Sequence, residues 1–337
     1  MEYITKILSF FMSLILSLLG TTGFTTSEKA AALRVTAYVV VSTAEQTEAL
    51  DASHFADVTD IILFSAARFD AEGKITLSPE LDRMVDILRE KAGEKPRIHL
   101  NFFGPGATGG DTWEDQMRSQ AEQLKKAFDS GILETGIKNV LEEYGFDGFA
   151  FDYEYPIEKA HRDRFGDFLI SLDKTLGDDY SILCAMMPFA AAYSRQAIKA
   201  IDMVELMCYD IWDGDGVHSS LKDTQRLVKD MLRLGYKRSQ IDMGLPFYAR
   251  PTTREAVWYD YASCWDKIDE NGLMKDEPRG LIASFNTPDV VYQKTEWAIR
   301  QGLGGVMVWH YSCDVPAENE ASLFNAVARA KADGMAA

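Results

Sequence analysis

Cysteine, histidine and basic side chains are all in short supply in this 337-residue chain. Its four cysteines, Cys184, Cys208, Cys264 and Cys313, are too few and too far apart for a disulfide scaffold, and none forms a C-x-x-C pair. Three fall on or beside strand-like apolar runs, where a free thiol packs as a small hydrophobe. The five histidines show no paired spacing. His218 and His310 therefore read as polar rim residues, and no metal site is expected. Lys and Arg number 35 against 52 Asp and Glu, a formal net charge of −17. Nucleic acid and anionic lipid both need a basic footprint, so phosphate-bearing partners are excluded. No acidic block accounts for the charge, which reads as a solvated outer helical layer. Long Pro- or Ser-rich linkers and tandem repeats are also missing, and a single domain suffices for the length.

The N-terminus differs in kind from the rest. Lys6 precedes an apolar run, 7–19, followed by small and polar residues including Ala30, Ala31 and Ala32. That is the layout of a secretory signal, with an apolar core too short for a comfortable membrane span. Residues 1–32 are expected to be a signal peptide or, if the apolar run extends through Phe24, an uncleaved anchor and the chain's one contact with a membrane. Residues 33–337 are left as the folded domain of a secreted or cell-surface monomer.

Eight apolar strand-like runs follow, at 34–41, 58–65, 97–103, 146–154, 180–187, 203–209, 240–247 and 304–311. Between most of them lie segments of helical periodicity, at 79–92, 115–144, 158–176, 221–234 and 288–300. Near-continuous apolar strands are typical of parallel sheets buried on both faces. Eight of them alternating with helices predict an α/β fold, a single-domain (β/α)8 TIM barrel.

One of these runs carries acids. In D-G-F-A-F-D-Y-E-Y-P, from Asp147 to Pro156, period-two alternation puts Gly148, Ala150, Asp152 and Glu154 on one face and Phe149, Phe151 and Tyr153 on the other. Carboxylates at the end of a buried strand lose hydration, which is offset by hydrogen bonds, a partner charge or a shifted pKa, and such places are often functional. The bland alternative is that the two acids only mark where the strand reaches solvent.

This stretch resembles the DGxDxDxE signature of glycoside hydrolase family 18, the chitinases and endo-β-N-acetylglucosaminidases. Asp147, Gly148, Asp152 and Glu154 match it, while Ala150 stands where the family has its middle aspartate. Three further segments follow in the family's order: M-C-Y-D at Met207 to Asp210, G-L-P-F-Y-A-R at Gly244 to Arg250, and G-G-V-M-V-W at Gly304 to Trp309. The third strand departs, reading I-H-L-N-F-F-G-P-G from Ile98 to Gly106 without the usual S-x-G-G.

The resemblance implies a retaining, cofactor-free hydrolase of glycans containing N-acetylglucosamine, a neutral ligand that suits the acidic surface. Glu154 would be the general acid, Asp152 the group that orients the acetamide, and Tyr209 its hydrogen-bond donor. Asp210 would contact the sugar or hold the tyrosine, Trp309 would floor the pocket, and Met207, Tyr38 and Phe64 would pack the lumen around it. Tyr248 and Arg250 are candidates for reaching the sugar, and Tyr155, Trp212 and Trp113 for stacking at outer subsites. The loss of the middle carboxyl at Ala150 predicts a slow enzyme or a glycan-binding protein without turnover; action on the core of N-glycans is a further alternative. After Arg250 about 54 residues precede the eighth strand, including Trp258, Tyr259, Tyr261 and Trp265. That is room for an aromatic sugar platform or a satellite core, but not for a full chitinase insertion domain.

Overall fold

The computed structural model describes residues 24–337. Strand β1 (Arg34–Val40) pairs in parallel with β2 (Asp60–Phe69), whose far end carries the short antiparallel β3 (Ile75–Leu77). From β2 the parallel ring runs through β4 (Arg97–Phe103), β5 (Gly148–Asp152), β6 (Ser181–Met186), β7 (Met203–Leu206) and β8 (Ile241–Pro246). The chain then leaves the ring for an antiparallel sheet of β9 (Tyr248–Pro251), β10 (Tyr259–Asp260), β11 (Leu273–Asp276) and β12 (Leu281–Ser284). It returns as β13 (Gly305–Trp309), which pairs with both β8 and β1 and closes an eight-stranded parallel barrel. The expected TIM barrel is thus observed, with a small sheet in the long segment after the seventh barrel strand.

Two apolar layers explain why the strands read as continuous runs. On β5, Phe149 and Phe151 face outward onto Phe165 and Phe168 of the helix Lys159–Leu176, while Ala150 faces the lumen. The lumen layer collects Tyr38, Ile62, Phe64, Leu183, Met203, Met207 and Met307. At its floor, Asp242 is held by Arg34 and Thr36, and Asp60 by Arg97 and His99. All four cysteines are free and buried.

The helical run expected over 115–144 is two helices, Trp113–Asp129 and Leu133–Tyr144. The break falls at Gly131, whose φ of +73° is a conformation that L side chains rarely adopt. Apolar spacing continues across the break, so periodicity alone missed it. Thr26–Ala32 is a helix started by a capping box between Thr25 and Glu28, with Ala30 fully buried. It docks on the C-terminal helix Leu323–Ala336, where Ser27 Oγ donates to the Met335 carbonyl at 2.8 Å and Gly334 leaves no room for a side chain opposite Ala30. The apolar run of the expected signal segment lies outside the described residues. No described helix is long and apolar enough to cross a membrane.

Candidate active site

The two acids at the end of β5 emerge at the C-terminal mouth of the barrel, where active sites of this architecture are built. Asp152 ends the strand, half-buried, with its Oδ1 buried and without a protein partner among the described residues. Glu154 lies two residues on, reached by solvent through the mouth while its carboxyl sits among Asp152, Tyr155 and Asp210. Burial and the neighbouring Glu154 charge hold the Asp152 carboxyl well above the usual carboxylate range, and burial also raises Glu154. Neighbouring carboxyls disfavour each other's ionisation, which adds to the effect of burial on Asp152.

Beneath and beside the pair is an aromatic cage. Tyr38, Phe64 and Trp309 meet edge to face at centroid distances of 5.0 to 5.5 Å, and Phe103 joins Phe64 at 4.7 Å. Tyr209 lies just past the end of β7, nearly parallel to Trp309 at 6.5 Å, its hydroxyl 4.0 Å from Met307 Sδ. Met207 is buried in the same lumen layer. A cavity of about 500 Å³ lined by Ser42, Ser65, Arg68, Thr76, Ser78 and Phe103 opens beside this cage rather than over Glu154.

Asp210 has a tightly defined role in the packing. Arg250 grips it in bidentate fashion, Nε to Oδ1 at 2.8 Å and Nη2 to Oδ2 at 2.9 Å, and Tyr248 Oη donates to Oδ1 at 2.7 Å. The Asp210 backbone N–H donates to His218 Nε2 at 3.1 Å. Burial alone would raise this carboxyl, but contact with His218 and the hydrogen bonds from Arg250 and Tyr248 hold it far below the usual range. Arg250 also lies over the rings of Tyr248 and Trp258, which stack on each other at 3.6 Å. Asp210 thus organises Tyr248 and Arg250, and makes no hydrogen bond to Tyr209. Trp212 sits farther out, its indole N–H donated to the Pro251 carbonyl at 2.9 Å.

Tyr155 stands between two exposed rings, Trp113 at 6.4 Å and Phe189 at 4.8 Å, forming an aromatic row along the rim. Sequence reasoning did not single out Phe189, His218 as a neighbour of Asp210, or Trp258 as a neighbour of Tyr248 and Arg250. Phe189 follows the end of β6, the position class from which barrel loops build the mouth, and that was the available signal. Asp260, His310 and Cys313, distant in sequence, also converge, with ligand atoms within 4.8 Å of one another. They satisfy one another: Cys313 Sγ donates to Asp260 Oδ1 at 3.2 Å and lies 3.3 Å from His310 Nε2, while Trp258 Nε1 donates to the same oxygen at 2.6 Å.

The family model of glycosyl hydrolases family 18 matches residues 34–314, from the first strand of the barrel to just beyond the last. The chain belongs to this family. Among family 18 relatives, it is 23% identical over 260 residues to Endochitinase 1 of Metarhizium robertsii, an alignment covering 61% of this chain and 60% of that protein. The match thus spans about three fifths of that relative's length. The barrel superposes with a TM-score of 0.70 on the family 18 chitinase ChiB from the chitin utilization locus of Flavobacterium johnsoniae, at 19% identity and covering 89% and 94% of the two chains. It also resembles the chitinase-like agglutinin of Robinia pseudoacacia, with a TM-score of 0.60 at 17% identity over 88% and 99% of the two chains. At these identities the structural matches speak for the fold.

Proposed function

We propose that this family 18 protein is a retaining glycoside hydrolase that cleaves β-1,4-linked N-acetylglucosamine oligomers or polymers. The observation that carries this reading is the placing of Asp152 and Glu154 together at the barrel mouth above an aromatic cage, where burial raises both carboxyls. In this mechanism Glu154 protonates the glycosidic oxygen as the C1–O bond breaks, and the substrate's own acetamide oxygen attacks C1. Asp152 accepts the acetamide N–H and balances the positive oxazolinium. Tyr209 donates to the acetamide oxygen as it moves toward C1. Glu154, now a carboxylate, takes a proton from the incoming water, which opens the ring with net retention. Trp309 supports the apolar face of the sugar, and Tyr38, Phe64 and Met207 shape the floor. Tyr248 and Arg250 border the site from β9, with Trp212 behind them. Export is part of the same reading and rests on residues 1–32 of the sequence.

The test is hydrolysis of a fluorogenic N-acetylchitooligosaccharide. Glu154→Gln keeps the shape and loses the proton, so kcat is expected to fall by about 10² to 10⁴ with KM little changed. Equal rates in wild type and variant would sink the assignment. A second reading, glycan binding without turnover, is favoured by Ala150, where a methyl replaces the family's middle carboxyl. It predicts sugar binding by a wild type that stays inert, and no gain on Ala150→Asp.

A further inference from the structure

We propose that Asn101 takes the place of the missing acid beneath Asp152, as a positioning residue whose side-chain amide donates to the Asp152 carboxylate when that group turns away from Glu154. The inference rests on the hydrolase reading above and deepens it. The chain departs from the family signature at two points far apart in sequence, Ala150 in the fourth barrel strand and N-F-F-G in the third. The fold makes them neighbours, because Asn101 and Ala150 are register partners on adjacent strands β4 and β5.

Both project into the lumen. Ala150 belongs to the lumen layer, while Leu100 and Phe102, on either side of Asn101, belong to the outer core. Asn101 is fully buried, and neither its Oδ1 nor its Nδ2 has a protein partner among the described residues. An amide in that state is costly unless something supplies its hydrogen bonds. Two residues beyond Ala150 on the same face, Asp152 carries a buried oxygen in the same condition. A methyl at position 150 leaves room for an amide to reach across from the next strand, where a carboxyl would fill the space. Glu205, another lumen acid without a partner among the described residues, is a poorer candidate. It lies on β7, where its ionisation answers to burial and to Asp242, Arg34 and Asp60 at the floor.

The chemistry of an amide sets what the exchange changes. An amide donates a hydrogen bond but does not share a proton as a second carboxyl does. Turned down, Asp152 is held as a carboxylate; turned up, it exchanges its proton with Glu154 alone. The other titratable groups around it are Tyr38 from β1, Tyr209 beyond β7, Tyr155 through Glu154, and Cys184 on the neighbouring β6, all neutral at ordinary pH.

Two measurements test this. The first is the pH profile of chitooligosaccharide hydrolysis by wild type, Asn101→Ala, Asn101→Asp and Ala150→Asp, with melting temperatures recorded in parallel. Asn101→Ala is expected to lower kcat by roughly tenfold to a hundredfold with KM little changed. Asn101→Asp is expected to restore activity and add a second ionisation to the profile. A kcat and profile unmoved by Asn101→Ala, in a chain that Glu154→Gln inactivates, would overturn the proposal while leaving the hydrolase reading intact. The second is a high-resolution crystal structure of the sugar-free protein, which decides the matter even if the chain hydrolyses nothing. Asn101 Nδ2 within hydrogen-bond distance of an Asp152 conformer supports the proposal, and an amide committed to another group overturns it.

Discussion

Position 154 works only if its carboxyl still holds a proton when the substrate arrives. Burial raises Glu154, and burial together with the Glu154 charge raises Asp152 further. Since the protonated form is the active one, rate should fall as pH rises through the raised pKa. The alkaline limb of kcat/KM is therefore expected above the ~4.3 of an unperturbed glutamate, which a pH profile on a short chitooligosaccharide will show. Glu205 offers a prediction about stability instead. Fully buried and without a partner among the described residues, its carboxyl is held well above the usual range by burial and by Asp242. A folded-state pKa above the unfolded one means that its contribution is complete below the unfolded pKa and is lost as pH rises toward the folded one. Glu205→Gln should therefore leave the melting temperature nearly unchanged in acid and raise it at neutral and mildly alkaline pH, as read by calorimetry.

The small sheet after β8 earns its place through a single carboxylate. Asp210 joins the end of the sixth barrel strand to β9 through Arg250 and Tyr248, and the guanidinium in turn lies over the Trp258 ring. Lysine keeps the charge but not the planar fork, so it loses the second hydrogen bond and the stacking surface. Arg250→Lys is expected to raise KM severalfold by loosening the wall formed by Tyr248 and Trp258, with kcat less affected. An unchanged KM would show that this wall does not touch sugar. The same scale explains the split of the expected 115–144 helix. Its apolar spacing was legible, whereas the turn at Gly131 depends on a left-handed backbone that spacing does not record.

Across the described residues as a whole, the helices Thr26–Ala32 and Leu323–Ala336 close against each other on the outside of the barrel. Ala30 is buried against the helix Leu323–Ala336, and Lys331 Nζ donates to the Leu33 carbonyl at 2.8 Å. A chain beginning at residue 33 is therefore expected to melt several degrees below one beginning at residue 24, since it exposes that face of the last helix. Barrel architecture and strand order were legible because a parallel strand buried on both sides writes itself as an uninterrupted apolar run, and such runs alternate with amphipathic helices. The shared face of Ala150 and Asp152 was legible too, because a period of two assigns each residue of β5 to a face without reference to any other strand, whereas Glu154 lies beyond the end of that strand. Tertiary structure alone decided the rest, namely which strands stand side by side and which loops meet above them. The placement of Asn101 beside Ala150, the closure of Arg250 and Tyr248 on Asp210, and the approach of Phe189 to Tyr155 all join residues from separate strands or loops. Local pattern reports the direction a side chain takes from its own backbone, whereas its neighbour across the barrel is set by register and closure.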